Sequence, residues 1–142
     1  MTEKQQNAGP SAGTSLNGLK ILLIDDSRTI RRSAETMLSS EGCQVITAND
    51  GFEALALIHR HEPDLIFVDI MMPRLDGYQT CAIIKNNSRF RRVPVIMLTS
   101  KDGLFDKARG RIVGSDQYLT KPFTRNELLG TVREQLSISE VA

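Results

Sequence analysis

Short apolar runs alternate with amphipathic segments along most of the chain. Five runs predict strands, at residues 21–24, 45–46, 65–68, 95–98 and, more weakly, 118–119. The runs at 65–68 and 95–98 are apolar at every position, which is typical of a parallel strand covered by helices on both faces. The pattern therefore predicts an α/β sheet with buried central strands.

The segments between these runs have helical spacing. In the first segment the apolar residues recur at i, i+4, i+7 and i+8, on one face of a helix: Ile30, Ala34, Met37 and Leu38. Capping signals predict where other helices begin, with Asp50 followed by Glu53 and Thr124 followed by Glu127. Asp-Gly pairs at 76–77 and 102–103 predict the starts of the third and fourth helices.

The strand–helix alternation occurs five times, which predicts a (βα)5 chain. Parallel strands joined by right-handed helical crossovers form an open, doubly wound sheet. The pattern alone does not determine the strand order. Residues 1–18 are small and polar, so they are predicted to be a flexible N-terminal tail. Residues 19–137 are predicted to be one folded domain, followed by a short C-terminal tail at 138–142.

Composition narrows the function classes. The chain has 142 residues, with 18 Lys and Arg against 17 Asp and Glu, so its net charge is +1. This balance argues against nucleic-acid binding, which needs a basic excess. No apolar run reaches about 18 residues, and no secretory signal opens the chain, so we expect a cytoplasmic protein without membrane insertion. Cys43 and Cys81 have no metal-site spacing and are expected to be reduced and buried.

Polar side chains stand where the predicted strands end. The first strand ends in Asp25 and Asp26, the third in Asp69 and the fourth in Thr99, and Lys121 follows the fifth. Each has an ordinary alternative as a helix cap, a turn residue or a solvated lysine. Ligands of open α/β sheets bind beyond the carboxyl ends of the strands, where all of these residues would meet.

This set of side chains suits phosphoryl transfer. Neighbouring carboxylates repel one another and favour a divalent cation, and all-oxygen ligation favours Mg²⁺. A carboxylate beside Mg²⁺ can attack a phosphoryl group and form an acyl phosphate. An ammonium neutralises phosphoryl oxygens, and a hydroxyl can donate to one of them. Asp69 is the candidate acceptor, Asp26 with Asp25 the main metal ligands, and Lys121 and Thr99 the phosphoryl contacts.

Other catalytic signatures are missing from the sequence. It contains no GxGxxG, no GxxxxGK[ST] and no GxSxG motif. His59 and His61 form an H-x-H pair that does not face one way on a helix, so they are interpreted as surface residues.

Four separated motifs resemble the receiver domain of two-component response regulators. They are IDDS at 24–27, VDIMMPRLDG at 68–77, LTS at 98–100 and YLTKPF at 118–123. The resemblance implies a flavodoxin-like, CheY-like fold with strand order 2-1-3-4-5. The longer segments at 76–88 and 97–123 resemble, more particularly, single-domain regulators of type IV pilus chemosensory systems that control twitching motility.

The resemblance also implies roles for individual residues. Asp69 would be the phosphorylated residue, and the backbone carbonyl of Met71 would join Asp25, Asp26 and Asp69 around Mg²⁺, with Asp25 acting largely through water. Thr99 and Tyr118 would form the switch pair, Lys121 would contact the phosphate, and the Lys121–Pro122 bond would be cis.

The resemblance further implies two protein partners. A CheA-like sensor histidine kinase would donate the phosphoryl group from a phosphohistidine. A downstream effector would bind the face formed by the fourth helix, fifth strand and fifth helix. Met71 and Lys101 occupy positions at which receivers tune hydrolysis of the acyl phosphate. Because methionine cannot orient a water by hydrogen bonding, slow self-dephosphorylation is expected.

Two other interpretations compete with a signalling module that is not an enzyme. One is a Mg²⁺-dependent phosphatase or phosphotransferase that turns over small substrates through an aspartyl phosphate. Such enzymes of the haloacid-dehalogenase kind usually carry a second acid where this chain has Met71. The other is a degenerate interaction domain, against which the complete set of acids, hydroxyl and lysine argues.

Overall fold

The computed structural model describes residues 16–101 and 106–141, with side chains described up to residue 137. Within these residues, five strands and five helices alternate. They are β1 (Lys20–Ile24), α1 (Arg28–Ser39), β2 (Gln44–Ala48), α2 (Gly51–His61), β3 (Leu65–Asp69), α3 (Gly77–Lys85), β4 (Val95–Ser100), α4 (Lys107–Val113), β5 (Gln117–Lys121) and α5 (Arg125–Val141).

The strands form a parallel sheet in the order β2-β1-β3-β4-β5, which confirms the predicted fold. The register aligns Ile24 with Val68 and places Asp69 beside Leu98. The ends of β1, β3 and β4 therefore lie at nearly the same level, so the residues that follow or end these strands share one edge of the sheet.

Helices cover both faces of the sheet, as the fully apolar runs predicted. All five residues of β3 are buried. Side chains alternate between the two faces, so Leu22 and Ile24 of β1 join one core cluster while Ile21 and Leu23 join the other. The first cluster includes Ile58 of α2, with residues of α3, and the second includes residues of α1 and α5. The sheet is thus the central layer of three.

The predicted capping signals differ in how they are satisfied. Thr124 and Glu127 form reciprocal bonds, with the Glu127 N–H donating to Thr124 Oγ1 and the Thr124 N–H donating to Glu127 Oε1. Asp50 caps α2 by accepting from the Glu53 N–H. The Glu53 carboxylate accepts from Asn49, one residue before the cap, so the reciprocal bond is displaced.

The start of α4 corrects a prediction. Asp76 caps α3 in a full capping box with Gln79, as its Asp-Gly signal predicted. The equivalent signal at 102–103 does not begin a described helix, because α4 starts at Lys107 with Asp106 as its N-cap. Residues 102–105 lie outside the described residues. Asp106 accepts from an N–H three residues later, which is what a helix N-cap requires.

The N-terminal boundary also differs from the prediction. Leu16 is only 2% exposed and belongs to the core cluster on the α1 and α5 face of the sheet. Its carbonyl accepts from the Leu19 N–H, and the Gly18 N–H donates to the Gly42 carbonyl. The core therefore includes Leu16, three residues before the predicted boundary, and the rest of the predicted tail lies outside the described residues. At the other end, α5 continues to Val141, beyond the predicted boundary at 137.

Two truncations should separate the buried leucine from the residues before it. A chain starting at Leu16 should unfold at the same denaturant concentration as the full chain, because residues 1–15 are polar and small. A chain starting at Gly18 should lose about 2–5 kcal/mol, the usual range for removing a buried leucine side chain. Equal stability of the two truncated chains in urea titration would contradict the packing of Leu16.

Both cysteines match the expectation of free, buried thiols. Burial raises the pKa of Cys81 to about 12, so this thiol is protonated at neutral pH. Within the described part of the chain, no helix is long and apolar enough to cross a membrane.

Candidate metal and phosphoryl site

Three carboxylates meet at the carboxyl edge of the sheet. Asp25 and Asp26 follow β1, Asp69 ends the neighbouring β3, and each offers an oxygen within 4.8 Å of the others. Asp25 is fully buried and Asp69 is 3% exposed, whereas Asp26 is exposed. The predicted acidic cluster is therefore present, with two members shielded from solvent and one open to it.

Lys121 joins the cluster from β5, the edge strand beyond β4. Its Nζ lies 3.0 Å from Asp25 Oδ2 and 3.2 Å from Asp69 Oδ1. The lysine side chain is mostly buried, at 16% exposure, so its charge is little screened by water. One ammonium thus compensates the two buried carboxylates.

Backbone and side-chain donors hold Asp25 in place. Its Oδ1 accepts from the Ser27 N–H at 2.8 Å, while its backbone carbonyl accepts from Arg31 Nη1 at 2.7 Å. Ser27 is the N-cap of α1, so the first turn of that helix is tied to the site. Asp26, the alternative cap considered from the sequence, points its carboxylate to the acidic cluster instead.

Opposing effects determine the pKa values of Asp69 and Lys121. Burial and the neighbouring Asp25 charge raise the pKa of Asp69 from 3.8 to about 6, against the lowering effect of Lys121 and a backbone hydrogen bond from Met71. For Lys121, burial acts to lower the pKa, but the charges of Asp25 and Asp69 outweigh it and the pKa is raised above 10.5. The lysine is therefore charged at neutral pH, while Asp69 is costly to ionise.

The donor set fits a hard divalent cation. Three carboxylate oxygens lie close together, one of them on an exposed residue, which suits Mg²⁺ because this ion keeps several waters. Met71 follows Asp69 at the same edge, and its N–H donates to Asp69 Oδ1 at 3.3 Å. Its side chain is 62% exposed. The role of its backbone carbonyl as a ligand stays a prediction.

The two predicted switch residues lie on neighbouring strands. Thr99 is the penultimate residue of β4 and is 4% exposed, and its hydroxyl donates only weakly to the Ser100 carbonyl, at 3.4 Å. Tyr118 lies on β5 and is 39% exposed, with the ammonium of Lys107 at 5.2 Å from its ring centroid. The Tyr118 ring is thus in an outward position. The Lys121–Pro122 peptide bond is cis, in agreement with the sequence-based expectation.

The loop after β3 packs tightly against the acceptor residue. A Cβ on Gly77 would lie 2.5 Å from the Asp69 backbone carbonyl, so only glycine fits there. Arg74 adopts a positive φ of 68°, and its guanidinium pairs with Asp50 of the α2 cap at 3.3 Å. Neither constraint was predicted from the sequence, where the Gly77 position was interpreted only as a helix start.

The Arg31 contact was also missed, although the sequence carries a signal for it. The first turns of α1 contain Arg28, Arg31 and Arg32 and no acidic residue in the first turn. Cations at a helix N-terminus oppose the helix dipole. This local conflict indicates a function outside the helix, and Arg31 indeed donates to the Asp25 carbonyl.

Comparisons with known proteins agree with this geometry. The family model of the response regulator receiver domain matches residues 21–133. Protein PilG of Pseudomonas aeruginosa is 72% identical over 117 residues, which cover 82% of this chain and 87% of PilG. The response regulator MprA of Mycobacterium leprae is 40% identical over 83% of this chain, which spans 51% of MprA.

Solved structures show the same fold. Chemotaxis protein CheY4 of Vibrio cholerae superposes with a TM-score of 0.78 at 34% identity, covering 82% of this chain and 98% of CheY4. A response regulator from Chloroflexus aurantiacus superposes with a TM-score of 0.80 at 31% identity, covering 85% of this chain and 99% of the other. Together with the family match and the acidic site at the sheet edge, these similarities establish that the chain belongs to the response regulator receiver domain family.

Proposed function

We propose that this chain is a single-domain response regulator that is phosphorylated on Asp69 and signals by phosphorylation-dependent protein binding. The observation that carries the proposal is the Asp69 carboxylate, which lies within 3.2 Å of the Lys121 ammonium and beside two further carboxylates. The proposal is supported by this proximity, because phosphoryl transfer needs an acceptor, a charge-neutralising cation and a metal ion close together.

The transfer step needs little beyond positioning and charge. A carboxylate oxygen of Asp69 forms a bond to phosphorus while the phosphorus–nitrogen bond of a donor phosphohistidine breaks, and the released imidazole takes up a proton. Lys121 lies where it can pair with a phosphoryl oxygen. Mg²⁺ held by Asp25, Asp26 and Asp69 would supply further positive charge for the phosphoryl oxygens.

The proposed partners are proteins. The phosphoryl donor is a CheA-like sensor histidine kinase, and the effector binds the face formed by α4, β5 and α5, with Thr99 and Tyr118 as the switch pair. Identity of 72% with PilG supports a place in a chemotaxis-like pathway that controls type IV pilus twitching motility. The proposed compartment is the cytoplasm, where such a kinase domain and its effector would meet the chain.

Acetyl phosphate with Mg²⁺ tests the proposal directly. We expect intact-protein mass spectrometry to show one phosphoryl group per chain, and acetyl phosphate consumption to fall after one equivalent to the slow rate at which the acyl phosphate hydrolyses. Sustained release of phosphate over many turnovers would instead indicate a small-molecule phosphatase. No mass gain at all would indicate a degenerate interaction domain.

Met71 should slow hydrolysis of the acyl phosphate. Its exposed side chain stands two residues after Asp69 and has no group that can orient an attacking water. Met71→Asn should therefore shorten the lifetime of the phosphorylated state severalfold, and Met71→Leu should leave it unchanged. The decay of phosphorylated protein after removal of acetyl phosphate measures this lifetime. Equal decay in all three proteins would show that residue 71 does not control it.

A further inference from the structure

The first turn of α4 links α3 to the switch tyrosine on β5. The Asp106 N–H, at the N-cap of α4, donates to Tyr78 Oη on α3 at 2.8 Å. The next residue, Lys107, places its ammonium 5.2 Å from the centroid of the Tyr118 ring. Two adjacent residues of α4 thus contact a buried tyrosine on one side and the outward tyrosine on the other.

Tyr78 can hold this turn in place because its own side chain is packed in the core. It is 6% exposed and belongs to the core cluster between the sheet and α3. The guanidinium carbon of Arg109 lies 4.2 Å from the Tyr78 ring centroid, and Arg109 Nη2 lies 3.8 Å from Asp76 Oδ2 at the cap of α3. The start of α4 is therefore held against the start of α3 by polar and aromatic contacts.

The rest of α4 buries little apolar surface. Its last turn is anchored by Val113, which packs partly buried against the core cluster and accepts from Cys81 Sγ through its carbonyl. Gly110 is buried, whereas Lys107, Arg109 and Ile112 are exposed. A helix with so little buried apolar surface is positioned by a few specific contacts, and removing one of them frees its first turn. The position of Lys107 over the Tyr118 ring consequently depends on the bond from Asp106 to Tyr78.

We propose that Tyr78 and Lys107 are positioning residues that stabilise the resting state of the switch. The Tyr78 hydroxyl fixes the first turn of α4, and the Lys107 ammonium then stabilises the outward Tyr118 ring by a cation–π contact. This inference rests on the proposed function with its switch pair, Thr99 and Tyr118, and it takes the phosphorylated state to be the one in which the Tyr118 ring turns inward toward Thr99. Because an inward ring would leave Lys107, the contact belongs to the outward state and biases the equilibrium toward it.

The expected size of the bias follows from the exposed position of the pair. An exposed cation–π contact changes an equilibrium by about two- to fivefold. Removing it should raise the inward population of Tyr118 in the unphosphorylated protein by that factor. By linkage, the activator needed for half-conversion should fall by the same factor.

The chain contains only two tyrosines, so fluorine NMR of protein labelled with 3-fluorotyrosine reports the switch directly. Tyr78→Phe identifies the Tyr118 resonance and removes the hydroxyl while keeping the ring. Lys107→Gln removes the ammonium. Each protein is titrated with beryllofluoride and Mg²⁺, which mimic the phosphoryl group, and the Tyr118 resonance is followed between its two limits.

Matched controls separate switching from stability. Arg60→Gln makes the same charge change at an exposed residue of α2, and Thr80→Val removes a buried hydroxyl that donates to the Asp76 carbonyl at the cap of α3. We expect neither control to move the resting position of the Tyr118 resonance, although Thr80→Val is expected to lower the melting temperature. Tyr78→Phe and Lys107→Gln should both move it toward the activated limit. The double variant should move it no further than Lys107→Gln alone, because both changes act through one contact.

Three results would overturn the inference in distinguishable ways. If Tyr118 does not respond to beryllofluoride in the unsubstituted protein, the proposed switch fails and this inference fails with it. If Tyr118 responds but neither variant shifts its resting position, Tyr78 and Lys107 have a structural role only. Additive effects in the double variant would show that the two residues act independently.

Discussion

Asp69→Asn should abolish phosphorylation and, in the absence of metal, make the protein more stable at neutral pH. The first effect is complete, because an amide oxygen does not act as the carboxylate nucleophile that the acyl phosphate requires. Incubation with acetyl phosphate and Mg²⁺ should leave the mass of the variant unchanged. Full labelling of the variant would assign the phosphoryl group to another residue.

The stability effect arises from the buried charge of Asp69. Its pKa is raised from 3.8 to about 6 by burial and by the neighbouring Asp25 charge. A carboxyl group with a raised pKa in the folded state adds stability that is fully present below pH 3.8 and is lost as the pH rises through about 6. The unsubstituted protein should therefore lose stability relative to Asp69→Asn between about pH 4 and pH 7.

The pKa shift of Asp69 sets the upper limit of this loss of stability. It corresponds to about 3 kcal/mol at pH 8, and it already includes the compensating effect of the Lys121 charge. Urea titrations at pH 4 and pH 8 without metal measure the difference. Adding Mg²⁺ at pH 8 should shrink it or reverse its sign, since the cation binds the carboxylate form.

Asp26→Asn is the matched comparison for this prediction. It makes the same change in the same cluster, but on an exposed side chain whose charge is screened by water. Asp26→Asn should therefore stabilise the metal-free protein much less than Asp69→Asn, while weakening Mg²⁺ binding and blocking phosphorylation. If Asp69→Asn were less stable than the unsubstituted protein at pH 8 without metal, the ionised Asp69 carboxylate would not destabilise the metal-free fold as its burial implies.

The chemistry of the site could be predicted from the sequence because the fold brings the polar residues at the strand ends together. Asp25, Asp69 and Thr99 stand where buried parallel strands end, and parallel strands bring those ends to one edge. The order of the strands in the sheet could not be predicted from the hydrophobic pattern, because several strand orders share the same alternation of strands and helices along the chain. Motif resemblance provided that order, and the structure confirmed it.

The features that were missed depend on contacts between residues distant in sequence. Leu16 follows a polar segment, and nothing local distinguishes it from the tail, yet it is buried against the core beside Cys43. The first turn of α4 contacts Tyr78, whose Oη accepts from the Asp106 N–H, 28 residues later in the chain. The Asp-Gly signal at 102–103 lies outside the described residues, and Asp106, the N-cap of α4, is followed by lysine rather than glycine, so the same signal does not identify it.

Lys121→Met should be the most destabilising single change at the site. It removes the ammonium that lies 3.0 Å from Asp25 Oδ2 and 3.2 Å from Asp69 Oδ1, and methionine fills a similar volume. Two carboxylates, both nearly inaccessible to water, would then face each other without a cation. Removing one partner of a buried ion pair typically costs about 3–5 kcal/mol.

Conditions that replace the lost charge should restore stability. We expect the Lys121→Met deficit to be largest at pH 8 without metal and to shrink at low pH, where the carboxyl groups bind protons. Mg²⁺ should also recover part of it, because the cation compensates the same carboxylates. Phosphorylation by acetyl phosphate should stay slow even with saturating Mg²⁺, since the phosphoryl oxygens lose the Lys121 contact.

A double variant decides whether the deficit comes from the carboxylates or from lost packing. In the Asp69→Asn background, Lys121→Met leaves only Asp25 uncompensated, so its cost in urea titration at pH 8 should fall well below its cost in the unsubstituted protein. Lys121→Arg keeps the positive charge and should preserve most of the stability, although its planar guanidinium cannot reproduce the point contact of the ammonium with both carboxylates. An undiminished cost of Lys121→Met in the Asp69→Asn background would mean that the lysine stabilises the fold through its pair with Asp25 or its aliphatic stem rather than through Asp69. The ion pair with Asp69 would then contribute nothing to holding β5 against the rest of the sheet.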